Sequence, residues 1–323
     1  MEDYQRAVER LACFAWASEH EVVVQSNRPA DVAERAAQIG DAEVLVLIRE
    51  RTPIDAPLLE LLPHLRLICQ TGRGTPHIDL EACTRRAIVV CTGSGSPYAP
   101  AELTLALILA SARCLVDDVV ALRSGTWQTT MGPELHGRTL GIVGYGTIGA
   151  LVGRYGRALG MHVLAWGRAG SFERAQADGC EPEPDLDVLC ARSDIVSLHL
   201  KLSAETRGIV TAGHLARMKH DALLVNTARA GLIEGGALGA ALAAGRPGRA
   251  AIDVFDEEPA TGDPLVRQAA VLATPHLGYV TWETYESYFG QAFAQVDAFA
   301  AGVPVGVANP EVLVAVADLS SEA

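Results

Sequence analysis

Residues 140–168, LGIVGYGTIGALVGRYGRALGMHVLAWGR, constrain the fold more than any other stretch. An apolar run at 140–143 enters a turn carrying Gly144, Gly146 and Gly149, an amphipathic segment continues to Leu159, and a second apolar run spans 162–166. The pattern reads as strand, tight turn, helix, strand. The three glycines do physically different things. Gly144 permits the sharp turn, Gly146 lets the main chain approach a pyrophosphate, and Gly149 lets the helix pack against the strand. The helix amino end adds unpaired N–H groups and a positive dipole, so residues 144–149, with Tyr145, Thr147 and Ile148 between the glycines, form an expected dinucleotide cradle.

The end of the second strand bears on which dinucleotide. NAD-preferring sites usually place a carboxylate there for the ribose hydroxyls, whereas this chain has Gly167 followed by Arg168. A guanidinium suits a 2′-phosphate, and Ser171 is a second candidate contact, so NADP(H) is the expected preference, with NAD(H) as the alternative. An ordinary solvated arginine at a strand end is the plainer reading of Arg168.

The rest of the chain fits a doubly wound α/β protein. Apolar runs at 21–25, 43–48, 65–72 and 87–91 alternate with helical segments, and further runs at 162–166, 195–200, 222–228, 250–255 and 271–277 follow the cradle. Alternation of this kind predicts parallel sheets. With 323 residues the chain can bury two cores. GSGSPYAP at 93–100 reads as a linker before a long apolar helix from Ala101 to Leu122.

Composition excludes some function classes. A net charge of −13 without a basic block disfavours nucleic acid and anionic membrane surfaces. Seven cysteines without a CxxC pair suggest a reduced, cytoplasmic protein, and the nine histidines form no metal-ligand spacing. No apolar run approaches the ~18 residues needed to span a bilayer, and the amino terminus has no signal-peptide core.

Three chemical tools stand just past predicted strand ends: Arg229 after ALLVNTA, Glu258 within DVFDEEP and His276 after VLATP. Arginine can grip a carboxylate and polarise a neighbouring carbonyl, the two groups a 2-oxo acid presents together. Histidine, with an ordinary pKa of ~6.5, can exchange the proton that accompanies hydride transfer, and a carboxylate on its other nitrogen favours the imidazolium. Asp253, five residues before Glu258, can tune that pair or contact the nicotinamide ribose. In TGRGTPHIDL, N–H groups at Arg73 and Gly74 can hold a small carboxylate; a plain strand-to-helix turn is the competing reading.

Taken in order, TGRGTPHIDL, APAELTLALILA, ELHGRTLGIVGYGTIG, SLHLKLSAETRGIV, LLVNTARAGLIE, AIDVFDEEP and TPHLGYVT resemble the successive signatures of the D-isomer-specific 2-hydroxyacid dehydrogenase family. The resemblance implies a Rossmann cofactor domain at 97–284, inserted into a flavodoxin-like substrate domain made of 1–96 and 285–323. It implies hydride transfer between nicotinamide and a small 2-oxo or D-2-hydroxy acid, with Arg229 binding the substrate carboxylate, His276 as acid/base and Glu258 as its partner. Arg73 and Gly74 are implied substrate contacts, while His199, Thr206, Thr227, Ala228, Asp253 and Gly278 join Gly144–Gly149, Gly167 and Arg168 as cofactor contacts. A homodimer is also implied, with the helix from Ala101 and the loop around Trp127 as candidate interface.

The chain departs from the family pattern at four places. Arg73 stands where an apolar residue is usual, which suggests contact with a second anionic or polar substrate group; Ser96 replaces a frequent asparagine; Lys201 replaces a proline; and MEDYQ resembles what normally follows the family's first strand. Tyr279 and Trp282 are candidate pocket-lining aromatics. Two rival readings are a dinucleotide-sensing binding protein without turnover, disfavoured by the intact Arg229, Glu258 and His276, and formate oxidation, which typically pairs the histidine with glutamine.

Overall fold

The computed structural model describes residues 1–313; residues 314–323, the end of the expected 285–323 segment, lie outside the described residues. The described residues divide into two compact units, 1–96 with 281–313, and Pro97–Val280.

In the first unit, β1 (Val44–Leu47), β2 (Leu67–Gln70) and β3 (Val89–Thr92) form a parallel sheet in that order. Every residue of β2 is buried, as a central strand covered on both faces requires. One face packs Leu45, Leu47, Ile68 and Val90 against Leu58, Leu59 and Cys83 from the crossover helices. The other packs Leu67, Cys69, Val89 and Cys91 against Ala292 and Val296 of the returning helix Trp282–Ala300. Thr281 starts that helix by accepting the Thr284 N–H at 3.2 Å.

The run at 21–25 is not a strand, contrary to its apolar pattern. Val22 and Val23 are exposed, and the segment is tied down at its end, where the Gln25 carbonyl accepts from Asp3 N (2.8 Å) and the Gln25 amide donates to the Gln38 carbonyl (2.9 Å). A strand needs a continuous hydrogen-bonded neighbour, and β1 is the sheet's edge among the described residues, with Val46 O accepting the Met1 amino group at 3.1 Å.

The second unit carries β4 (Thr139–Val143), β5 (His162–Trp166), β6 (Glu181–Pro182), β7 (Ile195–Leu198), β8 (Leu223–Asn226), β9 (Arg249–Ile252) and β10 (Val271–Ala273). Their spatial order is β10-β9-β8-β7-β4-β5-β6, all parallel. The strand order reverses between β4 and β7, so the crevice beyond their carboxyl ends is where such sheets bind ligands. Apolar clusters cover both faces, one around Leu140, Ile142 and Val225, the other around Val143, Val196 and Leu224.

The expected helix from Ala101 to Leu122 is two helices, Tyr98–Ala112 and Leu115–Arg123. They part at Cys114, which takes a left-handed backbone with φ 49°. Arg249 fixes the break by donating to the Ser111 carbonyl (2.9 Å) and to Cys114 Sγ (3.0 Å), satisfying a carbonyl that a continuous helix would have bonded internally.

Candidate active site

The cradle has the geometry its glycines predict. Gly144 has φ +99° and donates to the Trp166 carbonyl at 2.9 Å, turning the chain off β4. A Cβ on Gly149 would press into the Gly144 carbonyl, whereas one on Gly146, the residue before the helix Thr147–Ala158, would meet open space. That asymmetry fits a dinucleotide: two positions are closed by protein and the third leaves backbone room for a phosphate at a helix amino end. Thr147 is exposed in the first turn, and Ile148 is half-buried against the core. Tyr145 is wholly buried; its hydroxyl donates to Asp178 (3.0 Å) and lies 3.3 Å from Cys180 Sγ, anchoring the loop from below. Burial, first of all, raises the Tyr145 pKa, so it is a neutral donor.

Across the switch point, His199 donates its backbone N–H to Val143 O at 2.8 Å and its Nε2 pairs with Ser197 Oγ at 2.8 Å. Burial lowers its pKa from 6.5 to about 3, so the ring is neutral near pH 7. Thr206 closes its own loop, with Oγ1 donating to the Lys201 carbonyl (2.7 Å) and accepting from Ser203 N (2.8 Å). Lys201 is exposed. Gly167 and Arg168 follow β5, with Arg168 exposed just before the helix Ala169–Ala177.

β8 presents Arg229 through a locked loop. Asn226 donates its side-chain N–H to the Arg229 carbonyl (2.9 Å) and accepts from Ala228 N (3.1 Å), while Arg229 Nη1 donates to the Ala228 carbonyl (2.7 Å). Thr227 Oγ1 meets Thr104 Oγ1 at 2.7 Å, and Thr104 in turn bonds the Pro100 carbonyl. Asn226 is a positioning residue that sequence reasoning missed. The available signal was an amide ending the otherwise apolar strand LLVN.

The loops after β9 and β10 bring Glu258 and His276 together. His276 Nδ1 lies 2.7 Å from Glu258 Oε2, and the ring packs edge-on against Tyr279 with centroids 5.3 Å apart. His276 sits at φ 51°, a conformation that a non-glycine residue holds only when its surroundings fix it. Asp253 supplies that restraint. Wholly buried, it accepts from Thr274 Oγ1 (2.6 Å), Leu277 N (2.7 Å) and Gly278 N (2.9 Å), bracketing His276 on both sides. Burial raises the Asp253 pKa, opposed by those three bonds and by His276. Thr274 was not singled out in the sequence; it is the hydroxyl that ends β10.

In the first unit, Arg73 is exposed and Gly74 half-buried on the loop after β2. Gln70, almost completely buried, donates to the Gly74 carbonyl at 2.9 Å, and Thr71 bonds the Leu47 carbonyl at 2.7 Å. A Cβ on Gly74 would lie 2.9 Å from Glu50 Oε1, so the backbone there is close-packed. Trp282 belongs to this unit, stacked under Arg10 at 4.8 Å. Among the described residues no helix is long and apolar enough to cross a membrane.

A doubly wound sheet with a glycine cradle at its switch point, and a histidine–carboxylate pair past neighbouring strand ends, has the architecture of a dinucleotide-binding protein. Residues 105–278 match the description "D-isomer specific 2-hydroxyacid dehydrogenase, NAD binding domain". The glyoxylate reductase of Aeropyrum pernix is 39% identical over 272 residues, 80% of this chain and 81% of that protein. The D-3-phosphoglycerate dehydrogenase of Methanocaldococcus jannaschii is 38% identical over 257 residues, 79% of this chain and 49% of that protein, so the chain spans about half the length of such relatives. The crystal structure of a phosphoglycerate oxidoreductase from Vibrio cholerae superposes with a TM-score of 0.90 at 44% identity, covering 93% of this chain and 98% of that one. The chain belongs to the D-isomer-specific 2-hydroxyacid dehydrogenase family, and its second unit carries that family's NAD-binding domain.

Proposed function

We propose that this protein reduces a small 2-oxo acid to the D-2-hydroxy acid with a nicotinamide dinucleotide. The observation that carries the reading is the His276–Glu258 contact at 2.7 Å, on the same face as the cradle. Glu258 pairs with Nδ1, which orients the ring and leaves Nε2 as the nitrogen that exchanges the proton. The bound nicotinamide supplies hydride to the carbonyl carbon. Arg229 grips the substrate carboxylate and polarises the carbonyl, and His276 gives its proton to the carbonyl oxygen as negative charge develops there. Asp253 keeps the His276 loop in register through its three bonds. The N–H groups of Arg73 and Gly74 are assigned to an anionic group of the substrate, and the Arg73 guanidinium to a second anionic or polar one.

For the cofactor, Gly167 and Arg168 favour NADP(H), because no carboxylate stands at the end of β5 and a cation follows it. A homodimer is the assembly the surface suggests. Leu115, Val116, Val119, Val120 and Leu122 are exposed on one short helix, followed by Trp127 at 74% exposure, and a second copy packed there would cover them.

The test is a steady-state panel of glyoxylate, hydroxypyruvate, pyruvate, a branched 2-oxo acid and a dicarboxylate, each with NADH and NADPH. Turnover of at least one acid, faster with NADPH, is the expected result. Binding of either dinucleotide without reduction of any acid would overturn the proposal.

A further inference from the structure

The end of β5 holds more than the exposed cation of Arg168. A Cβ on Gly167 would lie 2.9 Å from Ser171 Oγ and 3.0 Å from Ser171 Cβ. A side chain at 167, where an NAD-type site carries its carboxylate, would therefore press on the Ser171 hydroxymethyl group. One turn along the same helix, Arg174 Nη2 donates to the Tyr145 carbonyl at 3.0 Å and approaches Ser171 Oγ at 3.4 Å. Tyr145 lies within the glycine loop and is itself pinned through its hydroxyl to Asp178. Arg174 is exposed, and its Nε and Nη1 groups make no bond to another protein group among the described residues. Glu183, whose N–H bonds the Ala165 carbonyl of β5, is committed to Arg192 at 3.0 Å, so it does not neutralise this cation.

We propose that Arg174 is a specificity-determining residue for the cofactor, a second cation for the 2′-phosphate of NADP(H), with Ser171 as its neutral hydrogen-bonding partner. The inference rests on the reading that the protein prefers NADP(H). Its physical basis is preorganisation: one edge of the guanidinium fork is fixed on the Tyr145 carbonyl, so the remaining N–H groups are aimed with little further loss of freedom. Arg168 lies in extended backbone at the start of the helix and Arg174 one and a half turns on, so the two cations flank Ser171 in the chain. A dianionic phosphate accepts from all three; a ribose hydroxyl gains little from two cations.

The experiment is calorimetric binding of 2′,5′-ADP and of 5′-ADP to the full chain, in wild type, Arg174→Gln and Arg174→Lys. Glutamine removes the charge and keeps an N–H donor on a shorter side chain, whereas lysine keeps a donor and the charge. The expected result is that Arg174→Gln weakens 2′,5′-ADP by about tenfold to a hundredfold, with 5′-ADP changed less than about threefold, and that lysine restores part of the loss. Equal weakening of both ligands would make Arg174 only a prop for the glycine loop, and no weakening would make it irrelevant; either overturns the inference while wild type still prefers 2′,5′-ADP. A wild type without that preference overturns the NADP(H) reading itself, and this inference with it. Circular dichroism of each variant separates loss of fold from loss of binding.

Discussion

His276 is held by two carboxylates with different duties. Glu258 touches the ring, whereas Asp253 touches only the backbone and hydroxyl groups on either side of it. Replacing Glu258 with Gln removes the carboxylate that holds the ring at Nδ1, and a fall in kcat of about tenfold to a thousandfold is expected with KM changed much less. Asp253→Asn is predicted to act through geometry. Both Asp253 oxygens accept bonds, and an amide nitrogen turned toward the N–H of Gly278 or Leu277 would face a donor with a donor. The expected result is a lowered kcat together with a thermal midpoint reduced by several degrees, since about 1–3 kcal/mol of buried hydrogen bonding is lost. Undiminished kcat in Asp253→Asn would show that the loop holds its left-handed turn without help.

Among the elements, the β4–helix–β5 unit explains why the cradle was legible and other features were not. Three glycines at fixed spacing have local consequences, and Gly144 and Gly149 meet them with a positive φ and a contact that no side chain permits. Gly149→Ala is therefore expected to push the helix Thr147–Ala158 off β4 and to weaken dinucleotide binding by on the order of tenfold to a hundredfold in a fluorescence titration. The placement of Arg229, Glu258 and His276 past strand ends was readable for a similar reason, because each follows a strand whose end the apolar pattern marks. The roles of Asn226, Thr274 and Arg174 were not, since each depends on a partner brought close by the turn rather than by periodicity. Residues 21–25 misled for the complementary reason: alternation reports the propensity for a strand, but a neighbour to pair with comes from the rest of the sheet. The break at Cys114 was equally hidden, being set by Arg249 from a distant strand.

Asp194 shows a different kind of inter-element tie. It accepts from Thr139 N (2.7 Å) at the start of β4 and from Lys219 Nζ (2.7 Å), joining three segments of the sheet. Burial acts to raise its pKa, but the Lys219 ammonium, the Thr139 N–H and Arg138 together hold it below 3.8. A depressed carboxyl contributes stability above its unfolded pKa and loses it as pH falls through the folded one. Asp194→Ala should lower the urea midpoint at pH 7 and lose that deficit relative to wild type at strongly acid pH.

For the molecule as a whole, two half-buried histidines, one in each unit, add to the loss of stability on the acid side. Burial lowers the His77 pKa to about 4 and the His199 pKa to about 3, both from 6.5. Below pH 6.5 the unfolded chain binds protons that the folded chain refuses, so stability falls as pH drops from 6.5, through about 4 for the first unit and about 3 for the second. Urea unfolding between pH 7 and 4 should show a declining midpoint, and His199→Gln should flatten the decline of the second unit. An unchanged slope in that variant would mean that His199 is protonated in the fold.

Whether the strand-end histidine moves the proton that accompanies hydride transfer is decided by single-turnover reduction. Enzyme and reduced dinucleotide are premixed, a turned-over 2-oxo acid is added, and nicotinamide absorbance is followed in wild type and His276→Ala. Dinucleotide binding is expected to stay within about threefold of wild type, while the rate of oxidation falls about a hundredfold to ten-thousandfold. Oxidation at the wild-type rate in His276→Ala would contradict the role given to His276, and would assign the proton to another group or to water.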